Sequence, residues 1–594
     1  MCRIAGIIDK RSLQIASDII LMRDAMKNGG PDSSGVFVDE EAFLTLGHRR
    51  LSIIDISEAG NQPMFNATND IVLVFNGEIY NYQDLKEELK AAGCYFSSNS
   101  DTEVILKGYE HWGTACFAKF KGMFAIALYD KKRKQLILAR DHAGIKPLYY
   151  YADKTALYFA SEIRAFNQLP NKWEENHLWK VYFLTYGYLP QTVTTLKGVK
   201  PLEKGSYLIF NTDTLESEQA FYYHDTFSEI ITGEEEAKEQ IRFALRTAIK
   251  RHLIADAPLG LFLSGGIDSS LLTLLAKEYK DELHTLSIIF DDEKYSEKYY
   301  QDIIVKKAGT KHDAFLLDKK HFQEAIPDIL RAMDQPSADG INSYFISKFA
   351  KEAGLKAVLS GLGADELFGG YPSFKRNTLI KNIRQLPGFI INNAHLIPQH
   401  KYQKINFLGT ESDTANYLFN RGYFTPAETA RLFDMDVSEV QALLFGEEFF
   451  TSLEQLSEGN KTSYLEANLY MQNQLLKDTD YMSMWHSIEV RVPFLDYDFI
   501  KCAHKISSSL KFGNKQGKYL LIESFKDELP DEIWNRKKKG FQLPFDAWMQ
   551  ESLDQFISTE QDQEMHKKFK KGQLNWSRYW TYILSQSYQN SQTV

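Results

Sequence analysis

Cysteine is scarce in this sequence, which has four in 594 residues. The four show neither CxxC spacing nor the density of a disulfide-bonded scaffold, so a disulfide framework is excluded and a reducing compartment is favoured. Their positions are Cys2, Cys94, Cys116 and Cys502. Only Cys2, directly after the initiator methionine, calls for an explanation by its position.

Long apolar runs and an excess of basic charge are also absent. No apolar run approaches the about 18–20 residues of a membrane span, and the first apolar stretch is too short for a signal peptide. The formal net charge of -10 argues against the broad basic face that nucleic acid or a membrane surface requires. The basic cluster at 131–134 predicts the exposed turn of a hairpin. We expect a cytoplasmic protein with neither partner.

The chain is too long for one hydrophobic core, since single cores stop growing near about 250–300 residues. We predict a first domain at 1–205, a linker at 206–233 and a second domain at 234–594. The first half is rich in short β-like runs with helical stretches between them, which predicts sheets covered by helices.

Cys2 would become the first residue if Met1 were removed, and nucleophile and base would then share one residue. A free α-amine has a pKa of about 7.7–8.0 and a thiol about 8.5, so the amine can accept the thiol proton near neutral pH. Taken alone, a cysteine at position 2 is better explained as an accident.

Seven motifs that follow one another across the first half favour a functional role for Cys2 over an accident of position. They are MCRIAGI, GGPDSSG, LGHRRLSIID, FNGEIYNY, SDTEV, ARDHAGIKPLYY and FASEI. Together they resemble the glutaminase domain of class II glutamine amidotransferases. The resemblance implies an αββα sandwich of the N-terminal nucleophile hydrolase type, with Cys2 as nucleophile. The chain departs from the family pattern at Arg3, where glycine is usual, and at Gly30, where arginine is usual.

The same resemblance implies which residues bind glutamine. The Asn76 side chain and the Gly77 backbone N–H would donate to the oxyanion of the tetrahedral intermediate. Arg50 would bind the substrate α-carboxylate, and Glu78 and Asp101 would accept hydrogen bonds from its α-ammonium. The remaining residues implied around glutamine are Leu51, Ser52, Ile53 and Ile54.

The second half contains an apolar run at 259–263 that meets Ser264, Gly265 and Gly266, followed by leucines at helical spacing. Such a strand, turn and helix favour a phosphate group, because glycines free backbone N–H groups and the helix start carries the positive end of its dipole. A plain capped turn is the alternative. The pattern is neither Walker A nor GxGxxG, and SGGIDS resembles the pyrophosphate loop of ATP pyrophosphatases.

A second apolar strand runs into glycines and carboxylates at 356–371. Asp268 and Asp365, one from each loop, are predicted to converge on Mg²⁺, which takes few carboxylates and uses phosphate oxygens for the rest. Each aspartate alone is also explained as a helix cap. With LLKDTDYMSMWHSIEVRVPFLD and IWNRKKKGFQLPFDAW, these loops resemble the synthetase domain of asparagine synthetase.

This second resemblance implies a doubly wound parallel α/β domain that binds ATP, and a homodimer. It would place around the nucleotide Phe262, Ser264, Gly265, Gly266, Asp268, Ser269, Ile288, Ser360 and Gly361. Lys538 would face the acyl-adenylate, where a cation meets the phosphate. The chain departs from the family at Leu362, where glutamate is usual, so Glu366 or a water would take over the role of that acid.

Three functions remain open from sequence. The first is an asparagine synthetase that combines ATP, aspartate and glutamine through β-aspartyl-AMP, with ammonia passing between the domains. The second is a ligase of the same fold that amidates a peptide, a glycan acid or a secondary metabolite, which Leu362 favours. The third is a glutaminase or nucleotide-binding regulatory protein with a decayed synthetase site, against which the intact SGGIDS and Asp365 count.

Overall fold

The computed structural model describes residues 2–12, 14–169, 172–397, 399–446, 453–513, 516–536, 544–553 and 556–592. Lys538 lies outside these ranges, so its predicted role stays a prediction. Within them, no helix has both the length and the apolar character needed to cross a membrane.

Two antiparallel sheets are built from the strands that precede residue 222. These strands are β1 (Cys2–Asp9), β2 (Ser33–Asp39), β3 (Leu44–Arg50), β4 (Met64–Phe65), β5 (Ile71–Ile79), β6 (Gly122–Asp130), β7 (Gln135–Arg140), β8 (Tyr149–Ala152), β9 (Ala156–Ala160), β10 (Lys200–Pro201), β11 (Ser206–Asn211) and β12 (Ser217–Phe221). The strand orders are β10-β8-β9-β1-β3-β2 and β12-β11-β7-β6-β5-β4.

The two sheets stack face to face and helices cover both outer faces. These helices are α1 (Ile15–Asp24), α2 (Tyr82–Ala91), α3 (Asp101–Trp112) and α4 (Ile163–Phe166). The next helix, α5 (Trp179–Tyr186), packs instead against helices of the second half. Because side chains alternate along a strand, Val72 and Val74 of β5 share the inner core with Ile4 of β1. Leu73 and Phe75 point the other way, into the core under α2 and α3. The predicted αββα sandwich is confirmed.

Two local expectations meet different outcomes. The basic cluster at 131–134 forms the turn between β6 and β7, as predicted. The bounds of the predicted linker, 206–233, stay a prediction, and within them β11 pairs with β7 along 207–211 and β12 pairs with β11. We therefore propose that the first domain extends to Phe221, which leaves a shorter connection before residue 234.

The second half adds a five-stranded parallel sheet. Its strands are β13 (Leu259–Phe262), β14 (His284–Ile289), β15 (Lys311–Leu316), β16 (Ala357–Leu359) and β17 (Glu489–Arg491). Its helices are α6 (Glu234–His252), α7 (Ile267–Lys277), α8 (Lys298–Ala308), α9 (Lys319–Ala332), α10 (Ile341–Glu352), α11 (Ala364–Phe368), α12 (Asn377–Arg384), α13 (Gly388–Asn392), α14 (His400–Gln403), α15 (Asp413–Arg421), α16 (Pro426–Phe433), α17 (Val437–Phe445), α18 (Glu458–Leu465), α19 (Leu476–Trp485), α20 (Tyr497–Lys505), α21 (Ser508–Phe512), α22 (Tyr519–Ser524), α23 (Asp531–Trp534), α24 (Phe545–Ser552), α25 (Glu560–Lys570) and α26 (Trp576–Gln592). A π-helical segment, Glu466–Leu475, joins α18 to α19.

The order of this sheet, β15-β14-β13-β16-β17, reverses beside β13. The chain moves outward from β13 to β15 and then returns to the other side of β13 with β16. Because parallel crossovers are right-handed, helices before and after such a reversal cover opposite faces. The doubly wound α/β fold is confirmed, and its crevice opens between the carboxyl ends of β13 and β16, where such folds bind ligands.

Two candidate active sites

The first candidate site lies at the start of β1. Cys2 faces Arg50 of β3 in the strand pairing, and the Cys2 backbone N–H donates to Asn76 Oδ1 at 3.1 Å. Asp101 begins α3, and its Oδ2 accepts the backbone N–H of Ile79 at 2.9 Å. The fold therefore brings together residues that are far apart in sequence and that were predicted to bind glutamine.

Two buried polar atoms in this site have no hydrogen-bond partner among the described residues. They are Asn76 Nδ2, a donor, and Glu78 Oε2, an acceptor. An unpaired buried group costs about 1–3 kcal/mol, so a ligand that pairs with both would offset that cost. Between them lies Gly77, where any side chain is excluded because a Cβ would lie 2.0 Å from the Met123 carbonyl oxygen.

The Arg50 guanidinium is fixed by the loop that follows β3. Its Nη1 donates to the Ser57 carbonyl at 2.7 Å and to Asn61 Oδ1 at 3.0 Å, and its Nη2 donates to the Asp55 carbonyl. These bonds orient the guanidinium before any substrate binds, which lowers the entropy cost of binding a carboxylate.

The remaining predicted glutamine-site residues connect Arg50 to the second half. All four are buried: Leu51, Ser52, Ile53 and Ile54. The Ser52 backbone N–H donates to Asp32 Oδ2 at 2.8 Å. The Ile53 carbonyl accepts the backbone N–H of Asp256 at 3.0 Å, across the contact between the two halves.

Burial controls the charges of this site. It raises the pKa of the Cys2 thiol and raises the pKa of Asp101 to about 6. The pKa of Glu78 is raised well above its usual range, by burial first and then by the negative charges of Glu489 and Asp101. Without a bound cation, these carboxyl groups therefore hold their protons at a higher pH than exposed ones.

We expect the apparent KM for glutamine to rise as the pH falls below about 6, the pKa of Asp101. Below its pKa a carboxyl group is neutral and cannot pair with an ammonium, so the KM should rise about tenfold for each pH unit. Initial rates of glutamate formation between pH 5 and 8 measure this dependence. Asp101→Asn is the control, with a high KM whose remaining pH dependence comes from Glu78 alone. A wild-type KM that is constant from pH 5 to 8 would contradict the role of these carboxylates.

The second candidate site lies at the carboxyl end of β13. Ser264 Oγ lies 3.0 Å from Ser269 Oγ and accepts the Gly266 backbone N–H at 3.3 Å, so the turn is closed by its own side chains. The Gly265 carbonyl accepts a hydrogen bond from Arg536 Nη2 at 2.9 Å. The turn leads directly into α7, whose first N–H groups favour a phosphate.

A cavity of about 280 Å³ opens beside this turn. Four predicted nucleotide residues line it: Phe262, Ser264, Ile288 and Ser360. Leu286 and Ile346 add further apolar surface, which suits the faces of an adenine ring. Gly361 directly follows Ser360, and the Cβ it lacks would lie 2.8 Å from the Asp268 Cβ, so the segments that carry Gly361 and Asp268 are in close contact.

Asp268 and Asp365 lie close together, as predicted, but both carboxylates form an ion pair with a lysine. Lys518 Nζ lies 2.6 Å from Asp268 Oδ2 and is also paired with Asp365. Burial alone would lower the pKa of Lys518, but the two aspartates outweigh it and raise that pKa. Both carboxylates remain about one fifth exposed (21% and 20%). Two such carboxylates fit a magnesium ion whose other ligands are phosphate oxygens.

The sequence interpretation missed Lys518 and two acids in the cavity wall, Asp339 and Asp478. Asp478 lies inside a motif that was singled out, KDTDYM, yet nothing in its spacing indicates its direction. Glu366, considered as a replacement for the family acid absent at Leu362, is buried, and its Oε1 accepts the Tyr371 hydroxyl at 2.7 Å. Leu362 lines the cavity, and the acids beside it there are Asp339 and Asp478.

Comparison with known proteins covers both halves. The model of the glutamine amidotransferase domain matches residues 1–223, and the asparagine synthase model matches residues 240–578. Asparagine synthetase (glutamine-hydrolyzing) 1 of Bacillus subtilis is 32% identical, over 96% of this chain and 92% of that protein. Asparagine synthetase (glutamine-hydrolyzing) 3 of the same organism is 29% identical, over 97% and 93%. Amidase chry2 of Gibberella zeae is 27% identical, over 92% and 88%.

A glutaminase-type sandwich joined to a doubly wound nucleotide domain defines a glutamine-dependent ligase that uses ATP. The chain belongs to the asparagine synthase family.

Proposed function

We propose that this protein is a glutamine-hydrolysing asparagine synthetase, which converts ATP, aspartate, glutamine and water into AMP, diphosphate, asparagine and glutamate. The observation that carries the proposal is the pair of sites on one chain. One has a buried thiol beside an unpaired oxyanion donor, and the other has an apolar cavity beside a phosphate-type turn. Neither site alone would account for amide transfer.

The first half-reaction takes place at Cys2. The thiolate attacks the side-chain amide of glutamine, and the oxyanion that develops accepts hydrogen bonds from Asn76 Nδ2 and the Gly77 N–H. Arg50 binds the α-carboxylate, while Glu78 and Asp101 bind the α-ammonium. Collapse of this intermediate releases ammonia and leaves a γ-glutamyl thioester, which water hydrolyses to glutamate.

The second half-reaction takes place at the crevice between β13 and β16. Phe262 and Ile288 bind the adenine, and the Ser264 turn binds the departing diphosphate. Asp268 and Asp365 would hold Mg²⁺, which supplies charge neutralisation to the phosphates, and Lys518 supplies a further positive charge. The acceptor carboxylate attacks the α-phosphate and forms an acyl-adenylate, which ammonia then converts to the amide. Lys538 is proposed to face that adenylate.

The acceptor is the open part of the proposal. Asp339 and Asp478 line the cavity and suit the α-ammonium of an amino acid such as aspartate. A specific observation favours the second candidate, a ligase that amidates another carboxylate: Leu362 in the cavity wall replaces the acid of the family pattern. Relatives named amidases, among them Amidase chry2, also support that candidate.

One assay separates these functions. The protein is incubated with glutamine, Mg·ATP and aspartate, and asparagine, AMP and diphosphate are measured. We expect one AMP and one diphosphate for each asparagine, because adenylation consumes one ATP per amide. AMP that forms only when another carboxylate replaces aspartate would establish the second candidate. ADP as product would overturn adenylation, and glutamate without AMP would indicate a glutaminase with no ligase activity.

A further inference from the structure

Arg3, one of the two departures from the glutaminase pattern, is completely buried between the two halves. Its Nη2 lies 2.8 Å from Asp480 Oδ2, and its Nε donates to Glu162 Oε1 at 2.5 Å. Its side chain covers Gly29, where a Cβ would lie 2.8 Å from Arg3 Cγ and Nε. The residue next to the nucleophile is therefore bound to a helix of the synthetase half.

Asp480 is held from the first half by a second cation. Lys146 Nζ lies 3.1 Å from Asp480 Oδ1, and the Lys146 and Asp480 side chains are 1% and 3% exposed. A buried carboxylate between two cations is fixed strongly, because losing either partner would leave an uncompensated charge away from water. The position of Asp480 and that of the start of β1 are therefore set together.

The helix that carries Asp480 also forms part of the nucleotide cavity. Leu475, Asp478 and Thr479 line that cavity, and Asp480 is the next residue of α19. The π-helical segment Glu466–Leu475 directly precedes α19, and such segments are frequent at functional sites. A ligand that shifts this part of the helix would shift Asp480 with it.

From these contacts we propose that the Arg3–Asp480 ion pair is a positioning contact, which transmits occupancy of the nucleotide cavity to Cys2 and so couples glutamine hydrolysis to amide synthesis. The inference rests on the proposed function, since it requires both sites to act in one reaction. Its physical basis is a single rigid path: cavity wall, Asp480, Arg3, and then the peptide bond to Cys2. Hydrolysis without coupling would waste glutamine, and a fixed path between the sites prevents that.

The same interface supplies a matched control. The Arg3–Asp480 pair belongs to a buried series of alternating charges that runs Lys146, Asp480, Arg3, Glu162, Arg164 and Asp334. Asp334, at its far end, also comes from the second half and accepts the backbone N–H groups of Ile163 and Arg164, each at 2.8 Å. It is fully buried, but it neither lines the cavity nor contacts the residue beside Cys2.

The test compares Asp480→Asn with Asp334→Asn in the full chain. Glutamine hydrolysis is measured with no nucleotide, with Mg·ATP, and with Mg·ATP plus aspartate, and AMP is measured in the same reactions. We expect the wild-type protein to hydrolyse glutamine at least about fivefold faster with both ligands, a typical size for coupling between sites. Asp480→Asn should reduce this ratio to about 1 and raise the glutamate formed per AMP. Asp334→Asn should keep the wild-type ratio.

Three outcomes would overturn the coupling. The first is a ratio of 1 in the wild-type protein, and the second is a ratio in Asp480→Asn as high as that of the wild-type protein. The third is an equal loss of the ratio in both variants, which would indicate general damage to the interface. If Asp480→Asn fails to fold, Arg3→Lys takes its place in the test. This variant keeps the positive charge and should retain the stimulation, and a loss of the stimulation in it would count against the proposal. If the wild-type protein forms no AMP with aspartate, that result contradicts the proposed function and not the coupling. The coupling is then tested by the rate of glutamine hydrolysis with Mg·ATP alone, relative to the rate without nucleotide.

Discussion

Cys2→Ala is expected to lower glutamine-dependent amide formation by at least about 10³-fold, the scale of losing a covalent nucleophile. Synthesis from added ammonium chloride should stay close to the wild-type rate. The physical reason is that the thiol acts only on glutamine, while the adenylate reacts with ammonia from any source. Measuring AMP release with each nitrogen donor separates the two sites in one experiment.

The chain provides a matched control for this variant. Cys116 is also buried, at 0% exposure, but it lies in the core between the second sheet and its helices. Cys116→Ala removes a similar sulfur from a similar environment and should keep glutamine use within about threefold, since its cost is one of packing. Unchanged glutamine use in Cys2→Ala would refute the nucleophile assignment.

Lys518→Met is expected to lower diphosphate release by about 10²–10³-fold, whichever nitrogen donor is supplied, as removal of one preorganised charge from a transition state does. The lysine is nearly enclosed, with 5% of its side chain exposed, and it separates two aspartates. Without it, the two carboxylates repel each other beside the phosphates. The loss of one partner from such a cluster should also cost about 3–5 kcal/mol of stability.

Thermal unfolding shows whether the Lys518→Met variant is folded, and glutamine hydrolysis without ATP reports on the other site. Lys526→Met is the control, because Lys526 pairs with Glu523 and its side chain is 43% exposed. Surface pairs of that kind contribute little to stability, because water and salt screen them. Diphosphate release at the wild-type rate in Lys518→Met would remove this lysine from the proposed site.

Sequence reasoning reached the fold class and the family because both are encoded in short local patterns. The strand and turn that end at Ser264 can be recognised from consecutive residues, and so can the run that ends at Asp365. The proximity of Cys2 and Arg50 could also be expected, because each lies in one of the family motifs, and the strands that carry them pair directly. The roles proposed for these residues stay predictions that the variants above test.

The rest depended on long-range packing. Lys518 follows Asp268 by 250 residues, and no periodicity connects a lysine in a loop to a turn that far away. We propose a later start for the linker than the sequence predicted, because β11 pairs with β7, which lies far upstream, and the edge strand β12 then pairs with β11. From the sequence Arg3 could be named only as a departure from the family pattern, since its partner Asp480 becomes a neighbour only after both halves fold.

Because Arg3 packs against Gly29, the residue that can occupy position 29 depends on the residue at position 3. Any larger residue at 29 would collide with the Arg3 side chain, so mutation at 29 becomes tolerable only after the arginine has been lost. Replacing Arg3 by a smaller residue has no such prerequisite, whereas an arginine can occupy position 3 in this way only where position 29 is already glycine. Homologues with arginine at 3 should therefore also have glycine at 29.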